Sequence, residues 1–319
     1  MTAFDQTQTQ TPAQTPALDR VPLAIGMMLA FCAIAPLIDV AAKYAAQSVS
    51  VTQVTFFRMV VQAAVMLPVV LVLGQSLRIG ARAALWLTAR ALMLIGSTYA
   101  FVGAVKVMPL ADALAIVFVE PFILLALGAL LFGDQVGPRR IGAAVVGFLG
   151  ALLVIQPNFA AFGAVAFYPL ATAVFFAFYM LLTRRVSRFV APVAMQFHTA
   201  WIGVVWMLPA LALGYAFGWE LMALINPAPL VWGQLVCVGL AASVSHMAIT
   251  VALRFAPSAT LAPLHYLEIV TSVLFGWYFF GDLPNPLSWL GIAVIAASGL
   301  YIIARERALA RAARLPIPR

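Results

Sequence analysis

Ionisable side chains are scarce in this chain, and several fall inside long apolar runs, where they can do chemistry. Asp39 and Lys43 stand four residues apart, the spacing of neighbours on one helical face with the acid on the N-terminal side. Arg58 follows early in the next apolar run, and its planar guanidinium suits bidentate capture of a carboxylate or phosphate. Glu120 and Glu268 sit near the middle of two further runs, and proline follows Glu120. His265 precedes Glu268 by three, so the two share a face with Thr271 and Ser272 close by. Charges at bilayer depth cost several kcal/mol, about 2.5–3.5 on insertion scales, so such residues normally face a cavity or a partner. Asp39, Lys43, Arg58, Glu120, His265 and Glu268 are therefore candidates for the wall of a polar cavity. Tyr99, Phe118 and Tyr266 are candidates to stack on a planar substrate there. Each has a plainer reading: an intrahelical ion pair for Asp39 and Lys43, and interhelical hydrogen bonds for the glutamates and for His198 and His246.

The elements that position these residues follow from composition. The chain is 65% hydrophobic and 9% charged, with a mean hydropathy of +1.05. A soluble domain carries about a quarter charged residues, so this surface must face hydrocarbon. Apolar runs long enough to span fall near 22–42, 52–73, 83–105, 111–131, 140–156, 164–182, 193–216, 229–252, 259–280 and 287–304. The expected fold is an all-α polytopic membrane protein with ten transmembrane helices and both termini cytoplasmic. The basic residues support that count. With ten spans, fifteen arginines fall on the cytoplasmic side, Arg78, Arg82, Arg90, Arg184, Arg185 and Arg254 among them, against Lys43 and Lys106 outside. Residues 1–20, rich in Gln, Thr and Pro, read as a disordered cytoplasmic tail, and 306–319 as a basic one.

A shift of 148 residues aligns 104–138 with 252–286 without a gap, with identities that include Pro109/Pro257, Glu120/Glu268, Gly133/Gly281 and Asp134/Asp282. The chain has four glutamates, and two occupy these equivalent sites. A shift of about 140 pairs Phe57 with Phe197 and Arg58 with His198. Each half, 21–157 and 163–305, then holds five spans, and an odd number of crossings inverts the second half relative to the first. Inverted repeats are a signature of secondary transporters. Asp134 and Asp282, each beside a glycine turn, read as structural acids.

Val119-Glu120-Pro121, Phe132-Gly133-Asp134 and the Ile141-Gly142 to Gly150 segment resemble the EamA repeat of the drug/metabolite transporter superfamily. The second copy runs through Leu267-Glu268, Phe280-Gly281-Asp282 and Leu290-Gly291 to Gly299. The family usually carries Glu where this chain has Asp134 and Asp282. Ile38-Asp39-Val40-Ala41-Ala42-Lys43-Tyr44 with Val54-Thr55-Phe56-Phe57-Arg58 is similar to the S-adenosylmethionine-uptake and riboflavin-uptake branches. The resemblance implies a bacterial inner-membrane, multi-pass secondary transporter of a small organic metabolite.

The mixture of acids and bases favours a zwitterionic or mixed-charge cargo such as S-adenosylmethionine, a flavin or an amino acid. An exporter of drugs or amino acids would share the skeleton. Proton coupling through Glu120 or Glu268, exchange with another metabolite and uncoupled transport all stay open, as do monomer and homodimer. No G-x-x-x-x-G-K-[ST] loop, H-E-x-x-H or G-x-S-x-G motif occurs, which argues against an ATPase or a membrane-embedded enzyme. No cofactor or metal is expected. The net charge of +8 points to anionic headgroups rather than nucleic acid, because the positives sit in short loops and at the C-terminus.

Overall fold

The computed structural model describes residues 20–108, 110–134, 136–155, 163–281 and 285–312. Nearly all of residues 1–20, the last seven residues and Asp282 lie outside them. The described residues are all-helical. The first half contains α1 (Val21–Ala46), α2 (Val51–Val72), α3 (Ala81–Val107), α4 (Leu110–Val117), α5 (Glu120–Phe132) and α6 (Pro138–Ile155). The second contains α7 (Phe167–Val186), α8 (Pro192–Phe217), α9 (Pro229–Phe255), α10 (Ser258–His265), α11 (Glu268–Phe280) and α12 (Pro286–Ala312). Eight helical segments are long and apolar enough to cross a membrane, and α5 is a shorter apolar helix. The protein is a multi-pass membrane protein.

Helix starts follow local chemistry. Ser50 caps α2 by accepting from the Gln53 amide at 3.0 Å. Prolines open the first turn of α1, α5, α8 and α9, where their missing N–H costs nothing. At Gly133 and Gly281 the chain turns left-handed, with φ of 67° and 74°, and stops α5 and α11 at equivalent points. Helix α12 runs through Ala312, into the basic stretch at the C-terminus.

Two apolar runs read as continuous helices are broken. Each is an eight-residue helix, a two-residue break and a thirteen-residue helix that begins with glutamate. At the breaks the hydrogen bonds tighten to i→i−3, with Val119 N–H to Ile116 at 3.2 Å and Leu267 N–H to Leu264 at 3.0 Å. Pro121 accounts for the first break, since it cannot donate back one turn. In the second, Pro263 lies within α10 and Ile269 replaces the proline, yet the geometry is the same.

The packing pairs respect the repeat. Helix α1 lies along α9 and α3 along α7, contacts that exchange when the halves are swapped. Helices α2 with α8 and α6 with α12 pair across the halves and map onto themselves, whereas the pairing of α5 with α10 does not, since its swapped counterpart would be α11 with α4. Between α6 and α12 the backbones touch: a Cβ on Gly291 would lie 2.6 Å from the Gly150 carbonyl oxygen. At one end of the bundle the Asp134 carboxylate accepts from Arg184 at 2.6 Å and from the Ser258 hydroxyl at 2.8 Å, which ties α5 to α7 and α10.

Candidate functional site

A cavity of about 100 Å³ lies where α1, α2, α3, α7 and α9 meet the two broken helices. Of the residues singled out from sequence, Asp39, Arg58, Phe118, His265 and Glu268 line it. Glu120 does not. It is fully buried one layer behind, where its Oε2 meets His265 Nδ1 at 2.8 Å. His265 Nε2 in turn meets Glu268 Oε2 at 2.9 Å, so one imidazole bridges two carboxylates from equivalent positions of the two halves.

Three expected wall residues are elsewhere. Tyr266 is buried and donates its hydroxyl to the Phe118 carbonyl at 3.1 Å, which pins one helix break to the other. Its ring lies flat against Gly147 of α6, where a Cβ would sit 2.6 Å from the ring. Tyr99 packs against a separate apolar cluster formed by α1, α2, α3 and α9. Lys43 lies one turn beyond Asp39 and is not among the cavity-lining residues. Helical periodicity places residues on a face but does not say which face meets the cavity, and the breaks rotate whatever follows them.

The wall has a charged side and an aromatic side. Asp39 from α1 is within electrostatic reach of both Arg58 and Glu268. Arg58 donates to Thr98 and, through Nη2, to His246 Nε2 at 2.8 Å, while its Nε is buried with no hydrogen-bond partner. Beside them, Phe31 and Phe176 stack with centroids 6.2 Å apart, and the Phe31 ring lies 5.3 Å from that of His265. Such a wall offers an aromatic face to a planar ring, with basic and acidic groups near for its polar substituents.

Arg90 is the residue that sequence reasoning misplaced. Counted above among the cytoplasmic-side positives, it lies in α3 nine residues on from Ala81, about 13 Å along the helix at 1.5 Å per residue, and is completely buried. Its guanidinium donates to Thr183 at 2.8 Å, Thr199, Thr250 at 3.3 Å and the Tyr179 oxygen at 2.6 Å. Tyr179 then meets His246 Nδ1 at 2.8 Å. Because Arg58 donates to His246 Nε2, the ring hydrogen must sit on Nδ1 and point at Tyr179. The chain Arg58–His246–Tyr179–Arg90 thus fixes the guanidinium that faces the cavity. Gln196 completes the support by donating to the His246 carbonyl at 2.5 Å, and Gln62 donates to Gln196 at 2.8 Å. The missed signal was Arg90 standing within an apolar run with Tyr179, Thr183, Thr199 and Thr250 available in three others. Separation along the chain hid it.

Fold and site together define a membrane transporter, and the sequence comparisons name its family. The chain matches the EamA-like transporter family over residues 22–156 and again over 163–305, and it belongs to that family. It is 32% identical to a riboflavin transporter of Rhizobium johnstonii over 65% of this chain and 66% of that protein. It is 24% identical to an S-adenosylmethionine uptake transporter of Rickettsia bellii over 91% of this chain and 97% of that one. A pseudopaline exporter of Pseudomonas aeruginosa is 25% identical over 61% of this chain. One solved crystal structure superposes with a TM-score of 0.72 at 20% identity over 90% of the chain, a likeness of fold.

Proposed function

We propose that the protein carries a small mixed-charge metabolite with a planar ring across the bacterial inner membrane by alternating access. The observation that carries this reading is the cavity wall, which brings Arg58, Asp39 and Glu268 together with the stacked pair Phe31 and Phe176. The class includes S-adenosylmethionine and flavins, for which two of the relatives are named. The cavity volume is well below the roughly 300–1,000 Å³ of pockets that hold drug-sized ligands. Binding therefore requires the halves to part, and a bundle whose long-helix pairs (α1 with α9 and α3 with α7, α2 with α8, α6 with α12) are preserved when its halves are swapped is suited to part at either end.

In this reading the broken helices α4/α5 and α10/α11 each make one crossing and α6 another. That gives ten spans in two inverted sets of five, with both termini cytoplasmic. The Asp134–Arg184–Ser258 cluster then closes the cytoplasmic end. Arg90 leaves the tally of flanking positives, and the remaining fourteen arginines still outnumber the two outer lysines. Energy comes from a proton gradient or from exchange of one metabolite for another.

Counterflow in proteoliposomes tests the reading. Vesicles preloaded with unlabelled riboflavin or S-adenosylmethionine accumulate the labelled form of the compound that is carried, and Arg58→Ala abolishes the signal. Direction is tested with the same vesicles, because one relative is named as an exporter and two as transporters of riboflavin or S-adenosylmethionine. Absence of counterflow with either compound and with amino acids would remove the proposed substrate class.

A further inference from the structure

We propose that Glu120, His265 and Glu268 form a proton-binding site in which two carboxylates and one imidazole load a single transported proton. The coupling of that proton to cargo rests on the transport reading above, but the site itself does not. His265 has both ring nitrogens within hydrogen-bond distance of carboxylate oxygens, 2.8 Å to Glu120 and 2.9 Å to Glu268. Two such contacts need two hydrogens, and carboxylates bring none of their own. The unloaded triad therefore holds an imidazolium between two carboxylates, three charged groups with a net charge of −1.

The second observation is an orphan. Glu120 Oε1 is buried and has no hydrogen-bond partner, although Glu120 is fully enclosed. An ionised carboxylate with one bare oxygen in a low-dielectric interior is poorly supported, whereas its neutral acid is much less costly to bury. Glu268, by contrast, is on the cavity wall, where water reaches it. The triad thus has an entrance and a buried end.

Loading balances as follows. A hydronium in the cavity gives its proton to the free oxygen of Glu268 and leaves as water. The hydrogen on His265 Nδ1 then moves to Glu120 Oε2, and its bonding pair stays on the ring nitrogen. Nε2 keeps its hydrogen, directed at the Glu268 carboxyl. Three charged groups become three neutral ones by uptake of one proton, and release reverses each step.

The place of the triad makes this consequential. Glu120 opens α5, His265 closes α10 and Glu268 opens α11, so all three stand at the two helix breaks. The Glu120–His265 contact crosses between the halves of the chain. Neutralising it weakens an ionic tie between the elements that must part, and it removes the charge that Glu268 presents to the cargo beside Asp39 and Arg58. The titratable groups beside the triad on the surrounding elements are Cys32 of α1, whose thiol lies 3.9 Å from the His265 carbonyl, and Asp39 of α1, Arg58 of α2 and His246 of α9 on the shared cavity wall. Tyr266 lies in the break itself, and α12 carries Tyr301 and Arg305. Among these, Asp39 is the other carboxyl on the cavity wall.

The experiment is a pH-difference infrared spectrum of purified protein in nanodiscs, with no substrate present. Acidification is expected to raise two protonated-carboxyl signals that belong to the triad. Glu120→Gln removes one, Glu268→Gln removes the other, and Asp39→Asn leaves both in place. If no carboxyl signal of the wild type disappears in Glu120→Gln or Glu268→Gln, the proton site is overturned. Transport is then tested in proteoliposomes clamped at zero potential, with labelled riboflavin or S-adenosylmethionine as probe. A pH gradient is expected to drive accumulation in the wild type and not in Glu120→Gln. Counterflow that proceeds while the pH gradient has no effect would overturn the coupling. Silence in counterflow falls on the proposed substrate class instead, and the infrared result still decides the proton site.

Discussion

The two broken helices share a backbone and differ in what they do with it. Both run eight residues, break for two and resume for thirteen, with glutamate first after the break and a left-handed glycine at the end. Yet Glu268 is on the cavity wall, whereas Glu120 is sealed behind His265. The first copy supplies Phe118 at its break, an apolar wall and a carbonyl acceptor. The second supplies His265 and Tyr266, which reach back to Glu120 and to that carbonyl. Duplication fixed where two acids sit in the membrane, and divergence of the residues just before them decided which acid meets the cavity. Chemistry at a symmetric position is therefore set by its neighbours, and each substitution below tests that division.

The largest effect is expected from His265→Leu. It removes the group shared by both acids and leaves the two carboxylates without that donor. Breaking a buried charged pair in this way costs about 3–5 kcal/mol. Thermal unfolding in micelles should show a drop in apparent Tm well beyond that of Glu120→Gln or Glu268→Gln, which each keep a hydrogen-bonding partner. A drop no greater than theirs would mean that the triad does not hold the breaks together.

Next comes the comparison of Arg58 with its repeat mate His198. Arg58 faces the cavity, while His198 lies in a separate surface groove between α3, α8 and the α2–α3 connection, with Leu77 and Trp201. Arg58→Ala is expected to weaken binding of the carried compound by roughly 100-fold, or about 2.7 kcal/mol. His198→Ala should leave binding within about twofold, inside the ±0.5 kcal/mol usual for positions away from such features. Thermal-shift titration with the carried compound measures both. Equal effects would place the site on the symmetry of the fold rather than on the asymmetric cluster.

A smaller effect is expected at Gly147. A Cβ there would meet the Tyr266 ring at 2.6 Å, too close for the ring to stay. Gly147→Ala should lower stability by about 1–3 kcal/mol through overpacking, and Gly147→Ala combined with Tyr266→Leu should recover part of it. Stability measured by denaturation in micelles checks both variants. At Gly142 nothing lies within 4 Å of an added Cβ, so Gly142→Ala is the control on the same helix.

Much of this architecture was legible in the residues. Hydropathy marked the helical runs, and the 148-residue shift aligned the two broken helices because Glu120, Gly133 and their mates survive in both copies. Asp39, Arg58, His265 and Glu268 could be picked out because charge inside an apolar run is costly and thus informative. The breaks at Phe118–Val119 and Tyr266–Leu267 were not legible as breaks, since only the first is marked by a following proline and both consist of ordinary apolar residues. His246 was seen as a helix bridge but not as a cavity residue, and Tyr179 was passed over as one aromatic among many. Their roles come from tertiary proximity, Arg58 to His246 across 188 residues and Arg90 to Tyr179 across 89, which no local pattern encodes.

The smallest expected effect isolates the link between the breaks. Tyr266→Phe removes one hydroxyl and leaves the ring against Gly147, so what is lost is the hydrogen bond to the Phe118 carbonyl. That carbonyl sits where the helical bonds have already shortened to i→i−3, and a carbonyl at a break lacks its regular intrahelical partner. A hydrogen bond of this kind is worth about 1 kcal/mol net, more if the acceptor stays buried and unsatisfied. The expected outcome is a loss of roughly that size in denaturation, with protection of the Phe122 and Ile123 amides against hydrogen exchange reduced alongside. Local exchange that rises there and not at α6 would show that the tyrosine braces the first break from the second. An unchanged exchange pattern would mean that the first copy holds its break by Pro121 alone, and that the two broken helices are independent after all.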